Sequence, residues 1–377
     1  MQRREHPLSG GSLGQQRQVV SLHFGPAGER KVYIQASLHA DELPGMLVLY
    51  HLREALARAE ADGQLLGEVV LVPVANPIGL SQRLLHRPSG RFELGSAHNF
   101  NRHYPDLAQA VFESLRDRLG PDAALNVRAV RECVGQWLTH WSPETEADSL
   151  RRCLLLLAHD AEVVIDLHCD AQAVMHLYTE EPCWPVLEPL ARLLGCRAVL
   201  LARQSGGNPF DECLSGVWWQ LAALLRSAGS THPLPQGCAS STVELRGETD
   251  VDHANARRDA DALLAYLSHT GLLRAARPEL PGLPCAPTPL AGSETLRAPM
   301  AGLVVFLVEP GTGLRAGDPV AEIIDPTPAA GSSVHTVRAG VDGVFYARVR
   351  ERYVRAGGEL GKVAGSQAFR TGDLLGA

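Results

Sequence analysis

The hydrophobic pattern starts with a short, mostly apolar run. Residues 31–38, KVYIQASL, mix β-branched and aromatic side chains and predict a buried strand that runs into the polar text HADE. Beyond it Leu43, Met46, Leu47, Tyr50 and Leu56 recur near helical spacing, with Pro44 suited to a first turn. Residues 67–74, GEVVLVPV, form a second apolar run stopped by Asn76-Pro77, so the order is strand, helix, strand. Residues 79–106 are polar and rich in Arg, Gly, His and Asn, which predicts a long functional loop. Helical periodicity returns over 106–119, 126–138, 149–158, 216–228 and 254–270, the last ended by Gly271. Strands are predicted at 162–167, 175–178, 197–202 and 241–245. The alternation describes an α/β region spanning residues 1–272.

A change of texture follows. Residues 273–290 carry five prolines and predict a linker. Residues 291–377 are short β-rich segments between glycine turns, with a faint internal repeat. Leu314-Arg315-Ala316-Gly317 recurs as Val354-Arg355-Ala356-Gly357, and Gly302 has its counterpart in Gly343. This predicts a small all-β barrel or sandwich, similar to a lipoyl half-barrel. The turn Pro299-Met300-Ala301-Gly302 lacks the lysine of a carrier, so the expected role is packing against the first domain or shaping its mouth.

Composition narrows the class. The 377 residues are 45% hydrophobic and 20% charged, with a formal charge of -7, which excludes wholesale disorder. A mildly acidic chain without a basic block is a poor partner for nucleic acid or anionic membranes. The eight scattered cysteines form no CxxC pair and read as reduced thiols. No stretch approaches the ~18 apolar residues of a membrane span, and the polar N-terminus has no signal-peptide pattern, so a cytoplasmic protein is expected. Oligomerisation is left open.

Three features fall where strands end: His39-Ala40-Asp41-Glu42, Asp166-Leu167-His168 and Val243-Glu244. In open α/β sheets, ligands bind beyond the carboxyl ends of the strands, so one fold can gather all three. Two imidazoles and a carboxylate, with one position left for water, match a catalytic zinc site. Such an ion lowers the pKa of its water toward about 7. A nearby free carboxylate is then needed to take and deliver the proton, a role open to Glu244.

With these residues the sequence resembles the succinylglutamate desuccinylase/aspartoacylase family, zinc-dependent deacylases related to zinc carboxypeptidases. The resemblance rests on HADE at 39–42, Asn76-Pro77, Asn99-Phe100-Asn101-Arg102, Asp166-Leu167-His168 and Thr242-Val243-Glu244, in that order over about residues 30–250. It implies a zinc-carboxypeptidase-like mixed sheet flanked by helices, with a smaller C-terminal β domain. It implies one Zn2+ held by His39, Glu42 and His168, with Glu244 as general base and acid. Asn101 and Arg102 would grip a substrate carboxylate, as guanidinium geometry suits. An arginine from the preceding loop would stabilise the oxyanion, and of Arg83, Arg87 and Arg91 the last is favoured. The family's DLNR reads NFNR here, a departure expected to bear on substrate identity while leaving the zinc chemistry intact. Asp170 and His176 are further candidates for the pocket, with core positions as the alternative.

Other motifs carry less. Gly206-Gly207-Asn208 lacks the Lys-Ser/Thr of a phosphate loop, and neither Ser205 nor Ser215 sits in GxSxG. Trp218-Trp219 reads as helix core. The expected activity is hydrolysis of the amide of an N-acyl amino acid or a similar small carboxylate-bearing amide. The alternatives are a metallocarboxypeptidase or a non-catalytic binding module.

Overall fold

The computed structural model describes residues 1–28, 30–327 and 333–375. Nine strands build its main sheet: β1 (Gln2–Pro7), β2 (Gln18–Phe24), β3 (Lys31–Ala36), β4 (Glu68–Val72), β5 (Val163–Asp170), β6 (Met175–Thr179), β7 (Ala198–Leu201), β8 (Ala239–Gly247) and β9 (Thr288–Pro289). Their order is β1-β2-β4-β3-β5-β8-β6-β7-β9. The sheet is mixed, as expected for the fold. β4, β3, β5 and β8 run parallel at its centre, while β1, β2 and β6 include antiparallel pairings.

Every residue of β3 and β4 is buried, which accounts for their mostly apolar texture, broken by Lys31, Gln35 and Glu68. Successive side chains of a strand point to opposite faces. Val32, Ile34, Val69, Leu71 and Ile165 therefore pack with α1 (Pro44–Ala61), α5 (Trp184–Leu194) and α7 (His253–His269). Tyr33, Val70, Val72 and Val164 face the opposite core, formed with α2 (Leu107–Leu115), α3 (Ala123–His140), α4 (Glu146–Ala158) and α6 (Phe210–Ser227). At roughly 1.5–3 kcal/mol per fully buried Val, Leu or Ile, these two layers supply most of the drive to fold.

Several expectations change on inspection. β1 escaped the pattern because QRREHP is an almost wholly exposed edge strand, kept charged as edges usually are. α5 was hidden by Pro185 and Pro189, one in its first turn and one inside it. The strand predicted to reach residue 38 ends at Ala36, because Ser37 takes a left-handed φ of 66°. The Pro-rich stretch ends as β9, an edge strand beside β7, where proline is tolerated.

The C-terminal β region is antiparallel throughout. One sheet contains β10 (Ser293–Arg297), β15 (Glu359–Gly365) and β14 (Gly343–Arg348). The other contains β13 (Val334–Arg338), β12 (Pro319–Ile324) and β11 (Gly302–Phe306). Leu296, Val304, Ile323, Phe345, Leu360 and Val363 fill its core. The faint repeat is structural: Gly302 opens β11 and Gly343 opens β14, and at each a side chain would meet a neighbouring backbone carbonyl. This region joins the first through β14, which pairs with Gln172–Ala173 just past β5.

Candidate metal centre and its cavity

The site begins at the parallel trio β3, β5 and β8. Their register sets Gln35 beside Asp166, Asp166 beside Thr242, and His168 beside Glu244, so the three sequence features share one end of the sheet. Past Ser37 the chain makes a turn in which the Glu42 amide donates to the His39 carbonyl at 3.1 Å. The turn is clamped from outside, since the Ala40 amide donates to the Gly90 carbonyl at 3.1 Å. A Cβ on Gly90 would lie 2.4 Å from the Asp41 nitrogen, so this approach requires glycine.

The result is a buried His–Glu–His group. Nδ1 of His39 lies 3.0 Å from one Glu42 oxygen, and Nδ1 of His168 lies 2.8 Å from the other. The Cys169 amide donates to that second oxygen at 3.0 Å, fixing the carboxylate. The rings meet edge to face with centroids 4.8 Å apart. One ligand atom from each residue lies within 4.8 Å of the others, a spacing at which three donors can share an ion.

The far side of each ring determines which nitrogen is free. Asn99 Oδ1 accepts from the Asn101 amide at 2.8 Å, so the amide oxygen faces this way, and His39 Nε2–H donates to the same oxygen at 2.8 Å. Nε2 of His168 lies 3.0 Å from the fully buried Asp166 carboxylate. His39 Nε2 thus carries its proton toward Asn99 and leaves Nδ1 free to accept from Arg91, while Nδ1 of His168 lies within hydrogen-bond reach of the Glu42 carboxylate. The Asn of the NFNR departure thus contacts both His39 of the metal group and the backbone of the Asn101–Arg102 segment.

Electrostatics agree with a cation site. Burial would raise the Glu42 carboxyl, yet His39 and His168 outweigh it and hold its pKa well below the usual range. Burial disfavours the charged form of His168, but Asp166 and Glu42 push its pKa well above normal. His39 is shifted down, by burial and by the neighbouring Arg91 guanidinium. Nη1 of Arg91 itself approaches His39 Nδ1 at 3.1 Å and Glu42 at 3.3 Å, so a cationic group already lies against the donor atoms. The donor set therefore fits a divalent ion.

These groups open into a cavity of about 610 Å³. Its lining includes His39, Arg91, Asn101, Arg102, His168 and Glu244. Arg83 and Arg87 instead lie exposed on a two-residue-per-strand hairpin, leaving Arg91 as the loop arginine at the site. Asn101 Oδ1 accepts from the Phe210 amide at 2.8 Å and so caps α6, leaving its NH2 as the group it can offer a ligand. Arg102 is buried, its Nη1 donating to the Asn101 carbonyl at 2.7 Å. The Glu244 carboxyl is pushed up to about 8, chiefly by burial and then by Glu42 and Asp170.

Asp170 lines the cavity, whereas His176 is fully buried behind it, with Nε2 4.0 Å from the Asp170 carboxylate. Trp218 is core, and Trp219 donates to Glu180 at 2.7 Å. Asp166, singled out in the sequence together with His168, lies beside that ring, as positions i and i+2 of a strand share a face. Lys362 went unread in the sequence: it reaches the cavity from β15, 3.4 Å from Asp170, through tertiary packing alone.

A mixed sheet carrying a His–Glu–His group that could hold a metal ion at its carboxyl edge, beside a cavity lined by Arg91 and Arg102, defines the class of this α/β protein. Residues 28–270 match the succinylglutamate desuccinylase/aspartoacylase catalytic domain, and the chain belongs to that family. Solved structures agree. A family protein of Shewanella amazonensis is 28% identical with a TM-score of 0.81, over 97% of this chain and 98% of that one. Another, from Shewanella frigidimarina, is 26% identical with a TM-score of 0.81, over 96% of each chain. A product-bound ectoine utilization protein of Ruegeria pomeroyi shares the fold at 14% identity and a TM-score of 0.64, over 96% of this chain and 93% of that one. No curated protein matches. Among the described residues, no helix is long and apolar enough to cross a membrane.

Proposed function

We propose that the chain is a zinc-dependent deacylase that hydrolyses the amide of an N-acyl amino acid. His39, Glu42 and His168 would hold the ion. The observation that carries this reading is the gathering of His39 Nδ1 and His168 Nδ1 on the two oxygens of Glu42, beside a cavity lined by Glu244 and Arg102. A bound Zn2+ would supply an acidified water and polarise the scissile carbonyl.

The chain's own groups do the rest. Glu244 takes a proton at its carboxylate and returns it to the departing amine nitrogen, a task suited to a carboxyl shifted toward neutrality. Arg102 and the Asn101 NH2 hold the substrate carboxylate, and burial strengthens that pairing by excluding water. Arg91 donates to the carbonyl oxygen as negative charge develops on it. The C-terminal β region walls the cavity with Lys362 and Tyr346, which favours small substrates over the long peptides of a carboxypeptidase.

The test is hydrolysis of a panel of N-acyl amino acids beside short peptides by the zinc-loaded protein. Turnover of the acyl amino acids is expected, and Glu244→Gln should lower kcat by about 10²–10⁴ while zinc content stays at that of the parent. Activity on peptides alone, or undiminished turnover in the variant, would overturn the reading.

A further inference from the structure

The two rings of the metal group are supported unequally. Nε2 of His168 lies 3.0 Å from the Asp166 carboxylate, an ion-pair contact outside hydrogen-bond geometry, so this buried anion acts on the ring through its charge. Nε2 of His39 donates to a neutral amide, Asn99 Oδ1, at 2.8 Å. That oxygen also accepts from the Asn101 amide at 2.8 Å, while the buried Asn99 Nδ2 has no hydrogen-bond partner. A side chain that shares its one useful atom between a metal-facing ring and the backbone of the carboxylate-gripping segment does two jobs. It fixes the tautomer and tilt of His39, and it joins that ring to Asn101 and Arg102.

We propose that Asn99 is a positioning residue whose neutral amide makes His39 the weaker arm of the ion site and whose oxygen ties that arm to the Asn101–Arg102 segment. The proposal rests on the ion-site reading above, but it concerns affinity rather than turnover. A carboxylate at 99 keeps the shared acceptor and adds negative charge beside a group already holding Glu42, so the ion should bind more tightly. A methyl group at 99 leaves both Nε2–H and the Asn101 amide without an acceptor, so the ring loses its anchor.

The experiment uses the full chain stripped of metal and titrated with Zn2+ and Co2+ against a chromophoric chelator, with no substrate present. Asn99→Asp is expected to raise affinity about tenfold. Asn99→Ala is expected to lower it by about 10–100-fold and to alter the visible absorption bands of bound Co2+, the range typical for partners of metal-bound histidines. Far-UV circular dichroism of the metal-free variants separates these effects from misfolding, and the near-isosteric Asn99→Asp remains informative if Asn99→Ala unfolds. Asn99→Asp binding no more tightly than the parent overturns the proposal, as does an unchanged Co2+ spectrum in folded Asn99→Ala. Absence of deacylase activity would leave it standing. A parent chain that binds no divalent ion would remove the ion site itself, and this inference with it.

Discussion

Arg91 lies against the atoms that would hold the proposed ion. Its Nη1 lies 3.1 Å from His39 Nδ1 and 3.3 Å from Glu42, while the side chain remains 44% exposed at the cavity mouth. A guanidinium held this loosely contributes little to stability, because exposed ion pairs are worth about 0–1 kcal/mol. In the proposed reaction its value would lie in catalysis, where a donor aimed at a developing oxyanion is worth about 10²–10³ in rate. Arg91→Ala should therefore bind Zn2+ at least as tightly as the parent, since a rival cation is gone, yet lose about 10²–10³ in kcat. Chelator competition and steady-state kinetics on the same preparation check this. A matching loss of zinc affinity would instead make Arg91 a prop for the His39 turn. Asn101 differs, because its oxygen is committed to the Phe210 amide, so its replacement disturbs the start of α6 as well as any ligand.

At the level of elements, β6 and α6 are joined by a buried carboxyl that no proposed chemistry uses. Glu180 follows β6 and accepts from Trp219 Nε1 of α6 at 2.7 Å, while its other oxygen has no partner. Burial pushes its pKa from 4.5 up to about 8, against the opposing bonds from Ser215 and Trp219. The folded chain therefore holds a proton that the unfolded chain releases between those two values. The stabilising contribution is full below the unfolded pKa and is lost as pH rises through the folded one. Urea midpoints of the metal-free protein should fall between pH 5.5 and pH 8.5, and Glu180→Gln should flatten that fall. An identical slope in the variant would place the pH dependence elsewhere. The elements themselves show what a sequence can carry. HADE, DLH and TVEL were readable because each ends a strand whose side chains alternate in and out, and parallel strands end on the same side. α5 was unreadable because two prolines break its pattern, and β1 because an exposed edge strand has no apolar period. The contact of Asn99 with His39 was unreadable for a third reason: sequence adjacency ties Asn99 to Asn101 and Arg102, and only folding brings it to His39 across 60 residues.

The whole molecule depends on how the C-terminal β region meets the sheet. Gln172–Ala173 pairs with β14, Arg348 Nε donates to Gln172 at 2.8 Å, and Arg197 donates to the Gly311 carbonyl at 2.8 Å. Tyr178, Leu200, Tyr346 and Ala364 form a small shared core beneath these contacts. Deepest among the charged links is Lys362, whose Nζ lies 3.4 Å from Asp170, two residues beyond His168. Burial alone would lower the Lys362 pKa, but Asp170, followed by Tyr346 and Glu359, raises it, so the ammonium stays charged inside the cavity wall. An ion pair that joins the main sheet to the C-terminal β region should appear as coupling between them. Lys362→Met leaves Asp170 without its cation and should cost about 1–3 kcal/mol, and Asp170→Asn alone should cost a similar amount. If the pair acts as a unit, the double variant costs less than the sum of the two by about 0.5–3 kcal/mol, the range found for contacting residues. Urea denaturation of the four metal-free proteins completes the cycle. Costs that add to within about 0.3 kcal/mol would mean that the β region is held by its apolar core and backbone pairing, with Lys362 serving the cavity alone.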